Sequence, residues 1–259
     1  MAISVRAIMA FFVEFERAIT QMATPGVMEC RQRDPMALLK LFRTYSNCEF
    51  ETQQLDFTQG IDVDAQDAAN PSAQVDKPAE IWSLVLNFGT RAEIWVNDRV
   101  KLDGKKLVNR CHRRFLVMKE AFHVILRDEL IRNGSGHPDT GRPEKLVTLT
   151  EELIYLPFSI IDFDSPEYSD SVKVEHAAEL LAFLMLYPFD SLSVDRASFL
   201  NGDSTGVGRF DKPEVIIAST LDFATEYLVP RRYVDLLFRW HRFNQLYVVY
   251  RQLRDRYTA

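Results

Sequence analysis

The chain is expected to fold as a mostly helical α+β domain, with one small β-sheet preceding its long central helix. Three observations carry that expectation. Apolar residues recur at helical spacing through most of the 259 residues. One stretch, 79–97, instead holds short β-prone runs separated by Gly89-Thr90. The composition is 47% hydrophobic and 26% charged, enough apolar material for a substantial core.

The elements follow in order. Residues 1–22 are expected to form an amphipathic helix, broken by Ala23-Thr24-Pro25-Gly26. Its run Ala7-Ile8-Met9-Ala10-Phe11-Phe12 meets Glu14, Glu16 and Arg17 too early for a signal peptide. No window offers the roughly 18 uncharged apolar residues of a membrane span. Asp34-Pro35 opens a second helix, with Pro35 in the first turn and Leu38, Leu39, Leu41 and Phe42 as its stripe. Gln53 to Lys77 is polar and reads as a mobile, solvated loop. Residues 80–88 and 93–97 read as strands of a hairpin, and Asp103-Gly104 marks a further turn. Leu107 to Arg132 is expected as one long helix, stopped by Asn133-Gly134-Ser135-Gly136-His137-Pro138. Glu144 to Tyr155 has helical character, Pro157 to Phe163 reads as extended or irregular, and Asp164-Ser165-Pro166 breaks the chain.

Val172 to Tyr187 is a strongly apolar helix that stops at Pro188. The glycine-rich run Asn201 to Gly208 lacks the lysine of a phosphate loop, and the strand before and helix after it, so nucleotide binding is excluded there. Two last helices are expected over Pro213 to Tyr227 and Arg231 to Tyr257. The organisation is then an N-terminal helical segment with a mobile loop (1–78), a core (79–200) and a C-terminal helical segment packed on it (201–259), a single domain overall.

A net charge of −6 argues against a general nucleic-acid or membrane-surface binder. The arginines around His112 (Arg110, Arg113, Arg114) and those of the last helix (Arg231, Arg232, Arg239, Arg242) are expected on solvated helix faces. The aromatic residues of the last helices are expected in the core or at a protein interface. Cys30, Cys48 and Cys111 form no paired motif, which fits reduced thiols and a cytoplasmic setting.

The chemistry-bearing stretch is Arg114-Phe115-Leu116-Val117-Met118-Lys119-Glu120-Ala121-Phe122-His123. It reads as an H-E-x-x-H helix with the first histidine replaced by lysine. In the intact motif two histidines one turn apart grip a metal, and the glutamate polarises the bound water as general base. Lys119 and His123 share one helical face, and Glu120 is rotated about 100° from Lys119. A third ligand has to come from elsewhere, Glu175 first and Glu179 one turn later as the alternative. His112, His137, His176 and His241 are expected to serve as surface or packing residues.

Three segments in order resemble the ImmA/IrrE-type metallopeptidases, a family related to the thermolysin-like zincins. Ile94-Trp95-Val96-Asn97 is similar to the family's strand ending in I-x-V-N. The stretch Arg114 to His123 is similar to its R-F-T-x-A-H-E-x-x-H. Glu175 to Pro188 resembles its E-x-E-A-N-x-F-A-A-x-L-L-M-P helix, and Tyr227-Leu228-Val229-Pro230 looks like a segment that follows. The resemblance covers about residues 80–190. It implies a zincin-like core, zinc as cofactor, Glu120 as catalytic base, and His123 and Glu175 as metal ligands. A helix-turn-helix repressor is the partner or substrate it implies. Lys119 stands at the remaining ligand position, Met118 replaces a small residue before it, and Phe122 replaces one before His123.

Lysine lies about three pH units from being a neutral donor at pH 7, a cost of roughly 4 kcal/mol. The expected arrangement is therefore substitution, with the ammonium filling part of the metal's space and pairing with Glu175 or Glu120. Three functions stay open: a metallopeptidase fold with an impaired zinc site that acts by protein recognition, a working zinc endopeptidase with a reorganised ligand set, and a helical interaction module unrelated to peptidases.

Overall fold

The computed structural model describes residues 4–54, 83–97, 106–132, 144–147, 163–165, 167, 170–201 and 213–258. Ser4 caps the first helix, α1 (Val5–Met22), by accepting from the Ala7 N–H at 3.2 Å. Asp34 caps α2 (Pro35–Ser46) through the Met36 N–H at 3.2 Å, and Pro35 takes the first helical position as expected. Asn47, at φ +54°, turns the chain out of α2 in the left-handed conformation that asparagine tolerates.

That turn leads into a strand the sequence reading missed, β1 (Glu49–Gln54). The hairpin follows as β2 (Ser83–Asn87) and β3 (Arg91–Val96), and Gly89 supplies the positive φ of its turn at +85°. Ala92, Ile94 and Val96 of β3 face the core while Arg91, Glu93 and Trp95 alternate outward. The long helix α3 (Lys106–Arg132) is continuous, as its period requires.

Residues Glu144–Val147, read from sequence as helical, form a strand, β4. The sheet order is β1-β3-β2-β4, with β1 parallel to β3 and the other pairs antiparallel. Both corrections share a cause. Glu49–Gln54 and Glu144–Val147 are short and polar, and their strand character comes from pairing with β3 and β2, which local propensity does not report.

The apolar helix α4 (Asp170–Leu186) turns by 85° at Pro188 into α5 (Phe189–Asn201), an element not anticipated from sequence. Then come α6 (Pro213–Tyr227), α7 (Arg231–Arg239) and α8 (Phe243–Thr258). The single last helix expected over Arg231 to Tyr257 is thus broken at Trp240–Arg242. The break is held by Arg196 of α5, which donates to the Phe238 carbonyl at 3.0 Å and the Trp240 carbonyl at 3.3 Å. The loop expected beyond Gln54, the glycine-rich run after Asn201 and His137 lie outside the described residues. Among the described residues no single helix is long and apolar enough to cross a membrane.

Helix α3 is the spine of the core. It packs against α4 on one side, under β2 and β3 on another, and against α2. Phe122 shows why the large residue is tolerated beside the motif histidine. Its ring meets Phe15 of α1 and Phe42 of α2 at 5.4 Å each, edge to face, in a fully buried cluster. Truncating it by Phe122→Ala is expected to cost about 3–5 kcal/mol in urea unfolding, through lost burial and the cavity left behind. A loss under about 1 kcal/mol would show that this cluster does not tie the N-terminal helices to α3.

Candidate functional site

Helices α3 and α4 meet face to face, and the meeting point carries the charged residues. Lys119, one helical turn before His123, is 1% exposed. Its ammonium contacts Glu175 Oε1 and stands 3.9 Å from Glu179 Oε1. His123 Nε2 lies 2.9 Å from the other oxygen, Glu175 Oε2. One carboxylate from α4 is thus gripped on both oxygens by two groups from α3. Glu175 is the most exposed member of this trio, with 17% of its side chain accessible.

A second shell of contacts immobilises the first. Glu179 accepts from the Tyr233 hydroxyl of α7 at 3.1 Å and pairs with His176 Nδ1 at 3.2 Å. His176 is fully buried, and its Nε2 has no hydrogen-bond partner. A tautomer that donates from Nδ1 leaves only a bare lone pair at Nε2, a smaller penalty than an orphaned N–H. Glu120, also fully buried, accepts from Ser83 Oγ of β2 at 2.6 Å.

Arg114 and Phe115 of the same helix are structural. Arg114 donates to the Arg33 carbonyl and, at 3.3 Å, to the carbonyl of Leu228, which sits at φ +52°. The Phe115 ring lies 4.3 Å from that of Tyr233. The α6–α7 connection at Tyr227–Pro230 is therefore pinned to α3, and that pinning sets Tyr233 against Glu179.

The electrostatics follow from burial and proximity. Burial alone would pull the Lys119 pKa down, but Glu175, Glu179 and Glu120 outweigh it and hold it above the ordinary lysine value. His123 behaves alike: burial opposes its charge, and Glu175, then Glu120, raise its pKa. Burial pushes the Glu175 pKa up, yet Lys119 and His123 drive it well below the usual carboxylate range. Burial and Glu179 push the Tyr233 phenol up, which keeps it a donor. His112, two turns before Lys119, is buried and pushed down to about 4, by burial first and then by Arg232 and Lys119.

Compared with protein-family models, curated proteins and solved structures, this chain matches none.

Lys119, Glu120, His123 and Glu175, the four site residues expected from sequence, come together at one place. Their arrangement does not fit a catalytic zinc. Zinc is held by Cys, His, Asp or Glu side chains, and the residue one turn before His123 is a lysine. His123 Nε2 and Glu175 Oε2 stand at hydrogen-bonding distance, 2.9 Å. The next side chain on the same face of α3, Lys119, is outside the usual zinc ligand set and meets Glu175 with its ammonium. Among the described residues no group of three His, Cys, Asp or Glu side chains is arranged to hold a metal ion.

Sequence reasoning left out Ser83 and Tyr233. Ser83 is a buried hydroxyl at the start of a strand whose middle, Leu84 to Leu86, is apolar, a visible signal once the strand's inward face is known. Tyr233 carried no signal, because its role depends on the turn held by Arg114. His241, in the break between α7 and α8, is exposed and takes no part.

Proposed function

We propose that this chain is an ImmA/IrrE-like metallopeptidase scaffold with a disabled metal site, and that it works by recognising a protein partner. A helix-turn-helix repressor is the partner class the sequence resemblance favours. The observation that supports this reading is the buried Lys119 ammonium seated between Glu175 and Glu179. Hydrolysis of a peptide in such a fold needs a Lewis acid beside the general base. A permanently charged ammonium cannot ligate zinc and repels it. Glu120, the expected base, is engaged by Ser83.

The rival reading, a helical module in which K-E-x-x-H is a coincidence, expects His123 and Glu175 to lie apart. They stand 2.9 Å from each other, on two helices distant in sequence.

Metal analysis and a proteolysis assay on the purified protein test the proposal. The expected result is well under one zinc per chain, no cleavage of a candidate repressor that it binds, and no effect of chelators on that binding. Stoichiometric zinc lost on His123→Ala or Glu175→Gln would overturn it. So would repressor cleavage that disappears in Glu120→Gln.

A further inference from the structure

We infer that Lys119 is a tethered structural cation: its ammonium does for α3 and α4 what a bound metal ion would do, so the native protein neither holds nor responds to a divalent metal at this site. The inference rests on the metallopeptidase-like reading of the helix pair and adds what the substituted residue does there.

Two carboxylates of α4, Glu175 and Glu179, stand at the Lys119 ammonium. Buried like charges at such spacing repel strongly and need a cation among them. Lys119 supplies it from within the chain. Its Nζ bridges toward two carboxylates spaced one turn apart on α4, Glu175 and Glu179. The remaining oxygens are taken by neighbours, His123 on Glu175 Oε2 and His176 on Glu179 Oε2, while the Tyr233 hydroxyl shares Glu179 Oε1 with the lysine. A lysine in this setting is also a poor nucleophile or Schiff-base former, being fully buried and held protonated. Its contribution is electrostatic and mechanical: it fastens α3 to α4.

A residue doing a metal's work should be exchangeable for one. The experiment compares thermal unfolding of the wild type and of Lys119→His, each with EDTA and with Zn²⁺ or Co²⁺, and records the Co²⁺ absorption spectrum. The wild-type melting temperature is expected to be the same in EDTA and in zinc. Lys119→His is expected to melt lower than wild type in EDTA. It should regain about 5 °C or more when zinc is present at roughly 100 times its dissociation constant. It should also give a tetrahedral Co²⁺ band, and adding Glu175→Gln should abolish both effects.

A wild type whose melting temperature falls in EDTA overturns the inference. A Lys119→His chain that gains nothing from zinc, folded or not, overturns it too. A wild type that loses stability in EDTA strikes both readings, whereas a Lys119→His chain that gains nothing from zinc strikes the inference alone and repressor cleavage by the wild type strikes the proposed function, so the failures are distinguishable.

Discussion

Lys119→Met is expected to lower stability by about 3–5 kcal/mol, because it removes the cation and leaves Glu175 and Glu179, one turn apart on α4, without it. Methionine fills much the same volume, so the loss reports charge more than packing. Were the lysine merely a buried group with replaceable contacts, the same change would be nearly neutral. Burying an ion pair costs desolvation on both partners, and an apolar pair is often as stable. The discriminating measurement is a double-mutant cycle in urea with Glu175→Gln. Neutralising both partners is expected to recover part of the single-mutant loss, with a coupling energy of at least about 1 kcal/mol. Additive losses would mean that the two side chains are neighbours without being energetic partners. An unchanged m-value confirms that the native state still unfolds as one unit.

The second large effect is on the pH profile of stability, and it divides by residue. The His112 pKa is lowered from 6.5 to about 4, so the folded state binds fewer protons than the unfolded one in that window. Its stabilising contribution is complete above pH 6.5 and is lost as the pH falls toward 4, amounting to about 2 kcal/mol by pH 5 and about 3 kcal/mol in full. Glu175, held below its ordinary 4.5, contributes fully above that pH and loses its share as the pH drops further. His123 has the opposite sign. Its raised pKa makes its contribution complete below pH 6.5 and lost as the pH climbs through its folded-state value.

Stability measured between pH 8 and pH 4 is therefore expected to fall steeply on the acid side, starting near 6.5. A shallower decline should appear toward alkaline pH. His112→Asn is expected to flatten the segment between pH 6.5 and 4.5 while leaving the loss that Glu175 carries below it. Superimposable acid limbs for the variant and the wild type would remove His112 from this account.

Much of this was legible in the chain. The one-turn spacing of Lys119 and His123, the opening of α2 at Asp34-Pro35 and the stop at Pro188 are local, and a helix's period and its end chemistry are written in a few adjacent residues. Glu175 was singled out by the resemblance of the stretch Glu175 to Pro188 to a family helix. Less legible were β1 and β4, whose polar sequences become strands only by pairing with β3 and β2. The break at Trp240 was equally hidden, since it exists because Arg196 of another helix takes up the carbonyls it exposes. Ser83 and Tyr233 belong with these: each reaches a carboxylate across elements distant in sequence.

By itself the sequence determined which ionisable groups are available, and that a lysine, which stays charged at neutral pH, stands one helical turn before His123. The tertiary structure decided what that charge does. Burial strips the water that would otherwise screen it, and packing of α3 on α4 sets Glu175 and Glu179 beside it. Charge type is a property of one residue, whereas the dielectric and the partners around it are properties of the packed interior.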